Sequence, residues 1–496
     1  MANRKVRATH LKKNQQSLSN SRKLPSAAGQ IDYQRLLQWE KAMRQRVDKK
    51  IIPGFCACVI HRGSIVHVSE YGDSDLERKQ PFTKDSIVRT YCMTKTVVAV
   101  AVLILTERGL LSLLDPVSKY IPAFQKMKVV KHGNAMFDVA DGNPSLTKEF
   151  TIIRLLTHTA GLGYGADFGE KPTGGECGMY KDLLAAVDNR EVTTLEVFCN
   201  RLAELPLRHQ PGKDLHYSMG HDVLARIIEV VSGSSLDTFL RKEIFHPLGM
   251  CDTGYFVPQE KASRLSALYG SAERLERVSR SLGRPIMIRR RASAFLHPID
   301  GNSPSESNWI EGRHCQILSG NGILGTNMGG LVSTLNDQAR FFSMLLNGGA
   351  LGKHRILKTA TVHEFCFRDL LPLPSVRGRR RKTGQPWSGW SALGEVGMKR
   401  VRRDPVPKCD EYEEGEIAMG GAANTMWSVN PVRDVATLIF TQALDSEMWR
   451  PDKEAKGGHL IASPENFTAA VRACFPKDEA AASNRRMNYK GEETTD

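Results

Sequence analysis

The sequence predicts an α/β protein with helices packed against a sheet, and three observations carry that expectation. Nine uninterrupted apolar residues run from Val97 to Leu105. They are too few to cross a bilayer and apolar on every side, so they read as a helix buried all round. The run Val435-Ala436-Thr437-Leu438-Ile439-Phe440-Thr441 is apolar and β-branched, as a strand inside a sheet should be. With 496 residues and 41% hydrophobic content the chain is long enough for two intimately packed lobes.

In chain order, the first segment is polar and basic. Arg4, Lys5, Arg7, Lys12, Lys13, Arg22 and Lys23 all precede the first acid, Asp32. Residues 1–31 therefore read as a tail, either a disordered arm or a transit peptide. Cys56-Ala57-Cys58 falls in a predicted strand, where alternation puts both thiols on one face. The helix over Val97–Leu105 ends at Glu107-Arg108-Gly109, with glycine as the stop signal. Two basic clusters, Arg274 to Arg291 and Arg377 to Arg403, read as solvated loops and mark insertions at about 260–315 and 370–415. Residues 477–496 read as a second disordered tail, which leaves 32–476 as one folded domain.

Cys92 and Lys95 stand three residues apart at the N-terminal end of the apolar helix. That spacing puts both on one side of a helical turn. The positive end of the helix and a neighbouring lysine both favour a thiolate and an oxyanion, so Cys92 is a candidate nucleophile. The competing reading is an inert core cysteine, since free cysteine is among the most buried side chains.

From about Ile52 to Phe475 the chain resembles the β-lactamase-related family, and in particular the carboxylesterase branch built on the class C β-lactamase and penicillin-binding-protein fold. The likeness rests on ordered blocks: Ile52-Pro53-Gly54-Phe55 with His61-Arg62-Gly63, Cys92-Met93-Thr94-Lys95, Leu114 to Pro122, Thr151 to Leu162, Tyr217-Ser218-Met219, Pro247-Leu248-Gly249-Met250, and Gly329 to Thr334. The resemblance implies a β-lactamase/transpeptidase-like fold, an antiparallel sheet flanked by helices with a mostly helical second lobe. It also implies three catalytic motifs. Cys92 stands in the first, where the family has serine, with Lys95 beside it. Tyr217 fills the second and is expected to place its oxygen by the lysine, the pair shuttling a proton from nucleophile to leaving group. Met419-Gly420-Gly421-Ala422 fits the third, giving an oxyanion hole formed by the backbone amides of Cys92 and Ala422, with Met219, Met419, Gly420 and Gly421 contacting substrate. Lys382-Thr383-Gly384 spells another form of that motif, but it lies in a basic run with no strand pattern and reads as loop.

Departures from the family pattern bear on function. Met219 stands where several relatives have asparagine, which argues against recognition of an acylamino side chain, and Met419 stands where tryptophan or histidine is common. The expected activity is therefore that of an ester or amide hydrolase or acyltransferase working through an acyl-enzyme on Cys92. The alternative is a catalytically degenerate binding protein that uses the pocket and the basic loops. A cysteine nucleophile more often pairs with imidazole, which makes His158, His216 and His221 candidate partners; structural or surface roles are expected for each. Ser218, one residue from Tyr217 along an extended segment, should face the other way.

No cofactor and no metal site are expected, and the partner is a small-molecule ester or amide. Neither a base-reading motif nor a phosphate-binding glycine loop accompanies the formal charge of +15, so specific nucleic-acid binding is not expected. Ten cysteines without paired spacing suggest a reducing compartment. With no secretory or membrane-spanning run, an intracellular, cytoplasmic location is the expectation, organelle import by the basic tail being the other.

Overall fold

The computed structural model describes residues 33–130, 149–163, 180–188, 191–271, 297–298, 330–371, 388–397, 413–444 and 464–475. Helix α1 (Gln34–Asp48) leads into strands β1 (Gly54–His61), β2 (Ser64–Asp75) and β3 (Gln80–Pro81). The helical part of the chain contributes α2 (Thr94–Glu107), α3 (Leu195–Ala203), α4 (Gly220–Ser232) and α5 (Leu335–Leu346). Strands β4 (Ser388–Trp390), β5 (Glu395–Gly397), β6 (Ile417–Gly421), β7 (Thr425–Asn430) and β8 (Val435–Phe440) follow, and α6 (Pro464–Cys474) closes the described chain.

All eight strands form one antiparallel sheet in the order β4-β5-β6-β7-β8-β1-β2-β3. The centre joins the two ends of the sequence, with Cys56 opposite Phe440 and His61 opposite Val435. Both central strands are covered on both faces. Phe55, Ala57, Val59, Val435 and Ile439 pack with Leu36, Trp39 and Met43 of α1 and with Phe467, Val471 and Cys474 of α6. Trp39 stacks on Phe467 at 4.2 Å between ring centroids. On the opposite face Cys56, Cys58, Ala436, Leu438 and Phe440 join the main core with α2, α4 and α5, so the two strand thiols share a face as the alternation predicts. Each such aliphatic or aromatic side chain contributes about 1.5–3 kcal/mol through burial.

Helix α2 is enclosed along its length: every residue from Thr94 to Leu105 is buried. A helix without a polar face draws its stability from tertiary packing, not propensity, and here α4 lies against it with Val223, Leu224, Ile227 and Ile228 buried. Gly109, at φ +68°, turns the chain away after Arg108. Among the described residues no helix is long and apolar enough to cross a membrane.

One boundary read from the sequence needs correction. Residues 388–397, assigned to a basic insertion, are strands of the main sheet: β4 pairs with β5, and β5 with β6. The turn between β4 and β5 is buried, with Ser391, Ala392 and Leu393 at most 2% exposed. It rests on α2, where Thr96 Oγ1 donates to the Leu393 carbonyl at 3.2 Å. The surrounding arginine and lysine count conceals this short apolar turn from a composition-based reading.

Candidate active site

The turn that carries Cys92 is fixed from both sides. Val88-Arg89 pairs with Val332-Ser333. Thr90 donates its amide and its hydroxyl to the Leu331 carbonyl at 2.9 and 2.7 Å, and the Leu331 amide donates to Thr94 Oγ1 at 2.8 Å. The Gly329–Thr334 block thus acquires a physical role: Leu331 is clasped by the two threonines that flank the turn. Gln442 holds Arg89 in the same manner, accepting from its amide at 3.0 Å and donating to its carbonyl at 3.2 Å.

Tyr91, Cys92 and Met93 form a single 3-10 turn that runs into α2. Tyr91 adopts φ +48°, a left-handed conformation that costs a bulky residue on the order of 1–3 kcal/mol and persists only where packing enforces it. Its ring is buried against Leu268 and Ala423. The turn leaves Cys92 6% exposed and Lys95 1% exposed at the start of α2, where backbone amides and the helix dipole favour negative charge.

Lys95 Nζ lies over the face of the Tyr217 ring, 5.0 Å from its centroid, within cation–π range. Tyr217 is half-buried against the main core and belongs to an irregular segment ahead of α4. The residues held together here, Cys92, Lys95 and Tyr217, come from a turn, a helix and a loop.

The strand β6 completes the enclosure. A Cβ on Gly421 would sit 2.3 Å from the Thr90 carbonyl oxygen and 2.4 Å from Thr425 Oγ1, so only glycine lets this strand abut the turn that carries Cys92. Ala422 follows directly, half-buried, in the turn where the Asn424 amide donates to the Gly421 carbonyl at 3.0 Å. Gly420 is exposed, and Met419, 9% exposed, has its sulfur 3.9 Å from Thr96 Oγ1. Met219 departs from the expectation of substrate contact. It is wholly enclosed in the main core at the entry to α4, because the chain turns inward there to begin the helix. Lys382-Thr383-Gly384 lies outside the described residues.

Two further groups pack at this site, one of them a histidine expected from the sequence to have only a structural or surface role. His158 packs its ring on Tyr217 at 4.5 Å, while its carbonyl accepts from the His216 amide at 2.8 Å and its Nδ1 accepts from the Ser218 amide at 3.1 Å. Ser218 Oγ is 3.2 Å from the same nitrogen, which engages that hydroxyl away from Cys92 chemistry. Burial, then the neighbouring His221, Lys95 and His216, hold His158 well below the usual histidine range; burial and Lys95 do the same to His221. Both imidazoles are neutral at pH 7. The second group, Trp390 of β4, stands edge-on to His158 at 5.1 Å and 6.1 Å from the Tyr217 ring. Asp369 Oδ1 fixes it by accepting from its amide at 3.0 Å. The only signal for Trp390 in the sequence is an aromatic residue in a basic stretch.

Among the described residues no cluster of three or more histidine, cysteine or acidic side chains has the arrangement to hold a metal ion. Chemically, the arrangement offers a thiol at a helix N-terminus, an amine and a phenol in contact, and backbone amides on two converging elements, which are the components of acyl transfer.

A family model described as Beta-lactamase matches residues 39–458. Esterase EstB of Burkholderia gladioli is 30% identical over 309 residues, covering 61% of this chain and 72% of that protein. The ML-236A carboxylate methylbutanoyltransferase mlcH of Penicillium citrinum is 26% identical over 432 residues, covering 84% of this chain and 90% of its own. Among solved structures, unliganded simvastatin synthase (LovD) from Aspergillus terreus, in its selenomethionyl derivative, superposes with a TM-score of 0.63 at 18% identity, covering 90% of this chain and 98% of that one. The last of these establishes the β-lactamase/transpeptidase-like fold.

Proposed function

The chain belongs to the β-lactamase family, and from that premise we propose that it is an esterase-like hydrolase or acyltransferase that carries its acyl group on Cys92. The observation that carries the proposal is the contact of Lys95 Nζ with the Tyr217 ring, 5.0 Å from its centroid, on the same helical turn that begins at Cys92. Relatives named as an esterase and as an acyltransferase support the same class of reaction.

In the proposed reaction the Cys92 sulfur attacks the ester carbonyl carbon and its proton passes to the Lys95–Tyr217 pair. The carbonyl π-bond becomes an oxyanion that accepts hydrogen bonds from the Cys92 and Ala422 amides. Collapse re-forms the carbonyl, breaks the carbon–oxygen bond and sends the relay proton to the departing alcohol, leaving a thioester. Water or an acceptor alcohol or amine then attacks that thioester by the same steps in reverse order. Met419 and Trp390 supply apolar contact surface beside the reacting carbonyl. Amines attack thioesters more readily than oxygen esters, which favours transfer over hydrolysis when an amine acceptor is present.

The competing reading, a binding protein that has lost catalysis, draws on two observations: sulfur at the nucleophile position and the enclosed Met219. General alkylation separates the two poorly, because Cys251 is exposed and will label by access alone. The test is single-turnover reaction with p-nitrophenyl acetate, followed by peptide mass mapping. Acetyl is expected on the peptide containing Cys92 and absent from Cys92→Ala. In Cys92→Ser acylation should fall, because a relay set for a thiol activates a far less acidic hydroxyl poorly. Folded wild type that acquires no acetyl at Cys92 removes the acyl-enzyme reading, and a tenfold gain in Cys92→Ser would mean that the site remains set for oxygen.

A further inference from the structure

Tyr217 lies in a segment without regular hydrogen bonding, yet a proton relay needs its ring held to a fraction of an ångström. Three contacts converge on it from one residue. The His158 carbonyl takes the amide before Tyr217 (His216, 2.8 Å), its Nδ1 takes the amide after it (Ser218, 3.1 Å), and its ring packs on the phenol at 4.5 Å. To do this His158 adopts φ +54°, a left-handed conformation uncommon outside glycine, and gives up 99% of its exposure. A left-handed backbone and full burial together at a loop residue point to a function.

We infer that His158 is a positioning residue for the Tyr217 relay: by clasping the His216 and Ser218 amides on either side of Tyr217 and packing on its ring, it fixes the phenol against Lys95. The inference rests on the acyl-enzyme reading for its catalytic consequence, but not for the geometry it asserts. His158 is no general base to Cys92. Its Nδ1 is committed as an acceptor, so the neutral ring carries its proton on Nε2. The groups that surround it, Tyr217 and His216 from its own clasped segment, His221 from α4, Lys95 from α2 and Trp390 from β4, include two further histidines and a lysine. A positive charge is disfavoured there, and a positive His158 would lose the Nδ1 lone pair that accepts from Ser218.

Three substitutions separate acceptor, bulk and conformation. His158→Leu keeps bulk without an acceptor. His158→Asn puts an oxygen near the Nδ1 position and tolerates left-handed backbone, whereas His158→Gln puts its polar end near Nε2 instead. Single-turnover acetylation by p-nitrophenyl acetate and the Lys95–Tyr217 side-chain nuclear Overhauser contact are read in each. In His158→Leu and His158→Gln the saturating acylation rate should fall about 10²-fold with the half-saturating ester concentration little changed, and the Lys95–Tyr217 contact should weaken or vanish. His158→Asn should recover both to within a few-fold. Should His158→Leu fail to fold, the Asn and Gln variants decide, since equal losses in both would overturn the assignment of Nδ1. A Lys95–Tyr217 contact that persists in every variant overturns the inference outright. The two readings fail separately: wild-type turnover in Cys92→Ala, with the Lys95–Tyr217 contact still following residue 158, removes the acyl-enzyme and leaves the positioning role standing.

Discussion

The two halves of the candidate site are built by opposite means. Cys92 and Lys95 stand at the start of a helix buried along its whole length, behind a turn tied to the Leu331 backbone and the Gln442 side-chain amide by hydrogen bonds. Tyr217 stands on an irregular segment and is fixed by the side chain and carbonyl of His158, 59 positions away in sequence (217 minus 158). A buried helix transmits rigidity from hundreds of dispersion contacts, each tiny, whereas a loop takes its rigidity from a few directional bonds. The Cys92 side should therefore tolerate change at any single contact better than the Tyr217 side, except where backbone meets backbone.

The largest effect expected is at the junction of the halves. Lys95→Ala and Tyr217→Phe should each lower single-turnover acylation of p-nitrophenyl acetate by about 10²–10⁴ while near-ultraviolet circular dichroism stays native. If both variants acylate as wild type does, proton movement does not pass through this pair.

A smaller loss is expected on the Cys92 side, at the backbone junction. Gly421→Ala puts a methyl 2.3 Å from the Thr90 carbonyl oxygen, whereas in Gly420→Ala the nearest group, the Thr425 carbonyl oxygen, is 3.3 Å away. The first should cost about 1–3 kcal/mol of stability in urea unfolding and about 10²-fold in acylation, and the second much less of either. Equal behaviour of the two alanine variants would show that β6 does not set the Cys92 turn.

The smallest effect sharpens the tyrosine side. The folded state holds His158 and His221 well below the usual histidine range, mainly through burial. The unfolded chain binds protons at these histidines near pH 6.5 and the folded one does not. Their contribution is thus present above about pH 6.5 and is lost as pH falls towards the folded values, by up to about 1.4 kcal/mol per pH unit for each. Urea unfolding of wild type and His221→Leu between pH 7 and pH 5 should give a shallower decline in the variant. Parallel curves would mean that His221 does not stay neutral in the fold.

Some of this architecture is written in local sequence. The helix over Val97–Leu105 is legible because an apolar run that long admits no exposed face, and the structure encloses it from Thr94 to Leu105. The strand read from Val435–Thr441 appears as Val435–Phe440, since β-branched residues in a continuous apolar run suit a strand covered on both faces. Alternation in Cys56-Ala57-Cys58 gave the faces correctly for the same geometric reason. The motif blocks placed Cys92, Lys95, Tyr217 and Gly421 in one neighbourhood, because resemblance in ordered blocks carries long-range topology that periodicity lacks.

Other features belong to tertiary structure alone. A methionine at position 219 reads as a substrate contact from its motif, but the inward turn of the chain into α4 encloses it. Trp390 sits in a segment whose composition reads as solvated loop, and becomes a wall of the site only because β5 pairs with β6 and carries β4 with it. The sequence on its own determined which residue types were on hand for acyl transfer and the buried elements that carry them, since composition and period act over a few neighbouring residues. Only the tertiary structure decided that His158 would clasp Tyr217, because hydrogen-bond direction and ring contact between distant segments depend on how those segments pack, which no local pattern encodes.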